Sequence, residues 1–170
     1  MDALVLGGES QRHYDWVRQV ADSLRPLMDK VVFLDYRHWK TGEGINIEHE
    51  IARAAKLTEE LDEFIVVAKS IGTVVTTLAN ARGLIDPARC VFLGFPLKAV
   101  QQLFPEVARA LPELPPTSFV HNEHDPLGNA TDVQAFVQAN APREFRFYPI
   151  EGNDSHTYID FEFLVKLATG

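Results

Sequence analysis

Apolar residues along this chain fall into two kinds of pattern. Short continuous runs occur at Ala3 to Leu6, Val31 to Leu34, Phe64 to Ala68, Cys90 to Leu93, Thr117 to Val120 and Phe145 to Tyr148. Between them apolar positions recur at helical spacing, first at Trp16, Val20, Leu24 and Leu27, then at Ile47, Ile51, Ala54, Ala55 and Leu61. Helices are also predicted over Ile71 to Ala81, Asp132 to Ala139 and Tyr158 to Leu167. Continuous rather than alternating runs are expected of strands covered by helices on both faces. The alternation of strand and helix predicts an α/β fold: a three-layer, doubly wound, mainly parallel sheet of six strands. Right-handed crossovers place the first strand between the second and third, with the ligand crevice at the strands' carboxyl ends. After the fourth run, Pro96, Pro105, Pro112, Pro115 and Pro116 break the chain into short pieces around Ala99 to Leu103 and Glu106 to Leu111. That stretch is a loop with one or two short helices, too short for a second domain.

Composition narrows the classes of function. At 170 residues and 46% apolar, residues 1–170 are expected to close a single domain around one core. A formal charge of -8 with no local cluster of Lys and Arg disfavours nucleic acid and acidic membrane surfaces as partners. The lone Cys90 lies in the apolar run Arg89-Cys90-Val91-Phe92-Leu93, where it fills core space. The amino end lacks a basic n-region and no stretch approaches a membrane span, so a cytoplasmic location is expected.

The strongest chemical signal is Phe64-Ile65-Val66-Val67-Ala68-Lys69-Ser70-Ile71-Gly72-Thr73, a strand-like run meeting a helix-like run with a serine at the junction. A sharp turn there crowds the positions two before and two after the serine, and Ala68 and Gly72 are small enough for both. Such a nucleophile elbow also puts the Ile71 N–H at a helix amino end, facing a developing oxyanion. The plainer reading is a serine that caps the helix. Chain order favours the catalytic one, because an acid and then a histidine should follow the serine. After the fifth strand stands His121-Asn122-Glu123-His124-Asp125-Pro126-Leu127-Gly128, and after the sixth Glu151-Gly152-Asn153-Asp154-Ser155-His156. Both loops lie at carboxyl ends of strands, which places Ser70, Asp125 and His156 on one rim. Glu123 is the rival acid.

Through Ala68-Lys69-Ser70-Ile71-Gly72, His124-Asp125-Pro126 and Gly152-Asn153-Asp154-Ser155-His156 the chain resembles the compact, lidless members of the α/β-hydrolase family. The resemblance implies that fold without its first two antiparallel strands. It also implies esterase, thioesterase or amidase activity on a small acyl substrate, with no cofactor and no metal. Two departures stand out: Ala68 replaces the usual glycine, and Gly7-Gly8 stands where many members carry His-Gly. The second N–H of the oxyanion hole is therefore assigned to Gly8 or Glu9.

Other residues have plainer readings beside functional ones. His121, Glu123, His124 and Asp125 form a ligand-rich stretch, but closeness in a loop is not coordination geometry. His13 is expected to be a solvated residue at a helix start, and Lys69 an exposed lysine that, in the functional reading, favours acidic substrates. Phe95 and Leu127, with Pro96 and Leu97, wall an acyl pocket or seal the top of the core. Two other functions compete: a binding module that keeps a hydrolase scaffold without catalysis, and a nucleotide or flavin binder. The latter lacks the Gly-x-Gly-x-x-Gly spacing in Gly7-Gly8-Glu9-Ser10-Gln11-Arg12.

Overall fold

The computed structural model describes residues 1–140, 142 and 144–170. Six parallel strands, β1 (Asp2–Leu6), β2 (Val31–Phe33), β3 (Phe64–Lys69), β4 (Arg89–Leu93), β5 (Thr117–Asn122) and β6 (Phe145–Ile150), form one sheet in the order β2-β1-β3-β4-β5-β6. Between and after them come α1 (His13–Leu24), α2 (His38–Thr41), α3 (Ile47–Thr58), α4 (Ile71–Ala81), α5 (Leu97–Leu103), α6 (Val107–Ala110), α7 (Ala130–Ala139) and α8 (Phe161–Thr169). Helices α1 and α8 pack together, while α3, α4 and α6 form a second group. Right-handed crossovers put these two groups on opposite faces of the sheet.

The sequence pattern follows from this layering. Every residue of β1 and of β3 is buried, so neither strand has a polar face to alternate. Edge strands β2 and β6 are partly exposed. Pro149 is tolerated in β6 because that strand pairs on one side only, with β5, and its other side needs no donor. Phe119 anchors the central packing, with its ring 5.5 Å from that of Phe92 and 6.1 Å from that of Phe95.

Several boundaries differ from the predicted ones, two of them for a clear local reason. Helix α1 ends at Leu24, because Pro26 has no N–H to continue the ladder, and Leu27 is left 58% exposed. Helix α8 begins at Phe161, where Asp160 accepts the Phe163 N–H at 3.0 Å, and not at Tyr158, which turns inward. The short helix α2, absent from the periodicity, buries Trp39. Among the described residues no helix is long and apolar enough to cross a membrane.

Register then sets the site. Leu6 pairs with Ala68, and Lys69 with Leu93, so the chain leaves β1, β3 and β4 within a residue of one level and the turns carrying Gly7, Ser70 and Gly94 come together. The order reverses between β1 and β3, the switch point where such sheets open a crevice.

Candidate active site

Ser70 has φ 52° and ψ −124°, and among the described residues it is the one non-glycine with positive φ. Holding a serine there costs about 1–3 kcal/mol, so its surroundings must enforce it. They do so with hydrogen bonds on both sides. The Ser70 N–H donates to Leu93 O at 2.9 Å, and Ser70 O accepts from the Thr73 N–H at 2.9 Å and the Thr73 hydroxyl at 2.7 Å. The Gly72 N–H donates to Gly7 O at 3.1 Å, and a Cβ on Gly72 would lie 2.8 Å from that same oxygen. Only glycine fits the second small position. The helix-cap reading fails on geometry, because the Ser70 side chain makes no cap bond.

Asp125 and His156 meet above this turn. His156 Nδ1 lies 2.6 Å from Asp125 Oδ2, which also accepts the Tyr158 hydroxyl at 2.8 Å, while Oδ1 accepts the Leu127 N–H at 2.9 Å. Burial works to raise the Asp125 carboxyl, but His156 and these donors hold it below the usual carboxylate range. Burial and the Asp125 charge push Tyr158 well up, so its phenol stays a donor. The imidazole rests against Gly94, where a Cβ would stand 2.7 Å from His156 Cε1 and 2.6 Å from the Tyr158 ring. The Ser70 N–H bonds to Leu93 O, one residue before Gly94, so the serine turn and the imidazole border the same loop. His156 Nε2 is buried and, among the described residues, has no hydrogen-bond partner, so the bond to Ser70 Oγ is not formed. Catalytic hydrogen bonds are often loose without substrate. Glu123, the rival acid, instead accepts the Gly152 N–H at 2.7 Å.

The histidine loop is strapped from two sides. Asn122 Nδ2 donates to Ser155 O at 2.8 Å and to Thr157 O at 2.9 Å, the carbonyls flanking His156. Its backbone N–H donates to the Tyr158 hydroxyl at 3.0 Å, and Trp16 Nε1 donates to Tyr158 O at 2.6 Å. Asn122, Tyr158 and Trp16 were not singled out from the sequence for this role. For Asn122 and Tyr158 the available signal is their place beside the loops that carry the acid and the histidine; Trp16, in α1, has none beyond its helical spacing.

Solved structures share this arrangement of strands and helices over nearly the whole chain. Alpha/beta hydrolase domain-containing protein 10 from mouse is matched over 98% of this chain and 87% of its own, at TM-score 0.72 and 9% identity. The chain has the α/β-hydrolase fold. A monoacylglycerol lipase from Paleococcus ferrophilus is matched at TM-score 0.72 and 8% identity, over 99% of this chain and 93% of its own. An uncharacterized protein from Bacillus cereus is matched at TM-score 0.73 and 20% identity over 98% of this chain, which spans 57% of that protein's length. No family model matches the sequence, and no curated protein matches it.

On this α/β-hydrolase fold the loop after β1 faces the elbow. Gly7 O accepts the Tyr36 hydroxyl at 3.1 Å, and Glu9 O accepts Trp39 Nε1 at 2.9 Å and lies 2.6 Å from His38 Nε2. The N–H groups of Ile71, Gly8 and Glu9 have no protein acceptor among the described residues. Two expectations are corrected here. His13 is half-buried, with its ring so close to Gly8 that a Cβ there would sit 2.2 Å from it. Burial, with the nearby Lys69 and His156 adding to it, lowers its pKa to about 4. Lys69 is 3% exposed, its Nζ 5.5 Å from the Trp16 ring centroid and 5.9 Å from that of Tyr158, and burial lowers its pKa to about 8 against the pull of Asp125. Phe95 is buried against Phe119 and Phe136 and seals the core, whereas Leu127 is half-buried at the rim. The ligand-rich stretch disperses: His121 turns inward to Gly128 O at 2.6 Å, Glu123 binds the Gly152 backbone, and His124 is exposed.

Proposed function

We propose that this chain is a serine hydrolase that cleaves a carboxylic ester, thioester or amide through an acyl-enzyme on Ser70. The observation that carries this reading is a serine held at positive φ at the amino end of α4, on the rim where His156 is bonded to a buried Asp125. Such backbone strain is kept where it aims a side chain. Similarity of fold to a monoacylglycerol lipase adds support.

In this mechanism His156 Nε2 takes the Ser70 proton as Oγ attacks the carbonyl carbon, and Asp125 stabilises the imidazolium. Tyr158 and Leu127 fix the carboxylate so that Nδ1 keeps its proton. The Ile71 N–H, with that of Gly8 or Glu9, receives the oxyanion. The imidazolium then protonates the leaving group. Water, deprotonated by His156, releases the acid and restores Ser70. A panel of acyl esters, thioesters and aryl amides assayed against wild type and Ser70→Ala tests the reading. Hydrolysis that depends on Ser70 is expected. A folded protein inert to the whole panel would favour the binding-module alternative.

A further inference from the structure

Next to His156 lies a cleft of about 460 Å³ whose walls include Arg12, His13, Asp15, Trp16, Lys69 and Thr157. Lys69 is the residue immediately before Ser70, and its ammonium is the buried charge on this wall. The rings of Trp16 and Tyr158 cover it, but a ring face attracts a cation without offering a lone pair to any of the three N–H donors. Asp125 is the carboxylate whose charge reaches it, and both Asp125 oxygens are already taken by His156, Tyr158 and Leu127. No hydrogen-bond acceptor among the described residues reaches Lys69 Nζ. The ammonium still touches solvent, so water fills these donor positions until another acceptor arrives, and the open side of Lys69 is the cleft.

Charge decides what that acceptor is. Arg12 and Lys69 against Asp15 leave a single positive charge on the lining, since burial keeps His13 neutral near pH 7. With Asp125 behind the wall also drawing on Lys69, the cleft takes at most one further negative charge, which a carboxylate supplies and a phosphate dianion exceeds. We infer that the cleft receives a carboxylate of the substrate on Lys69, with Arg12 at the mouth. The compound attacked at Ser70 therefore carries a carboxylate a few bonds from its scissile carbonyl. This rests on the hydrolase reading and names its substrate class.

Two matched pairs locate the charge. Para-nitrophenyl hemiglutarate against para-nitrophenyl valerate places a carboxylate on the acyl side, and para-carboxyphenyl butyrate against phenyl butyrate places it on the leaving group. In one pair kcat/KM is expected to favour the anionic member by about tenfold or more, as for a charge-assisted hydrogen bond. Lys69→Met should cut that ratio by a similar factor, and Arg12→Gln, at an exposed position, by a smaller one. Equal rates within both pairs, or a ratio that survives Lys69→Met, would overturn the subsite. Binding is read separately in Ser70→Ala by the fluorescence of Trp16 on titration with monomethyl glutarate, and should weaken when Lys69→Met is added. Carboxylate binding without hydrolysis of any ester would retain the subsite and reject the hydrolase reading.

Discussion

At the scale of single residues, the charge relations around Asp125 divide the work. Asp125→Asn is expected to lower turnover by roughly 10⁴, the loss seen when a triad histidine is no longer held in its tautomer. Glu123→Gln, which only frees the Gly152 N–H, should change it little. Steady-state kinetics on both variants separates them, and a larger loss in Glu123→Gln would reverse the choice of acid. The buried histidines add a pH dependence of known sign. His13 titrates near 4 when folded and near 6.5 otherwise, so the unfolded chain binds its proton first. Its contribution is whole above pH 6.5 and is lost as pH falls toward 4. His121, also lowered, acts in the same direction. Asp125 acts further down, below the ordinary carboxylate range. Urea unfolding between pH 7 and pH 4.5 should show wild type losing more stability than His13→Phe; equal slopes would contradict this. The serine, acid and histidine were legible because chain order and two small residues constrain them. The burial of Lys69 was not, since Trp16 and Tyr158, which enclose it, come from elements distant in sequence.

At the scale of elements, strands were legible as continuous apolar runs, because covered strands need no polar face. Helix ends were less so, being decided by single groups such as the Asp160 cap and Pro26. The turn after β4 carries no sequence signal beyond that of a loop, yet it sets the histidine. Gly94 has φ 58°, and its missing side chain makes room for both His156 and Tyr158. Gly94→Ala is expected to reduce turnover more than it reduces stability, because His156 must move while the strands stay paired. Phe119→Ala should do the reverse. Phe119 is 1% exposed between the rings of Phe92 and Phe95, so truncation should cost about 3–5 kcal/mol in chemical denaturation. A loss below about 1 kcal/mol would show that the sheet core repacks around the gap.

At the scale of the whole molecule, the stretch between β4 and β5 decides access. Val107, Ala110, Leu111 and Leu114 are buried, and Asn80 on α4 donates to Glu113 O at 2.8 Å, so the segment from α6 onward packs along α4. Acyl chains that soon emerge into water gain about 0.8 kcal/mol only for each buried methylene. Specificity constants for para-nitrophenyl esters are therefore expected to rise over the first few carbons and level off, without a jump at the solubility limit. A steady rise to long chains would indicate a covering lid. The claim on which everything else depends is that Ser70 is an activated nucleophile, and labelling with a fluorophosphonate probe measures it most directly. The expected result is a single adduct on Ser70, lost in a folded Ser70→Ala protein. An adduct on Ser10 or Ser155, or none at all on the folded wild type, would contradict it.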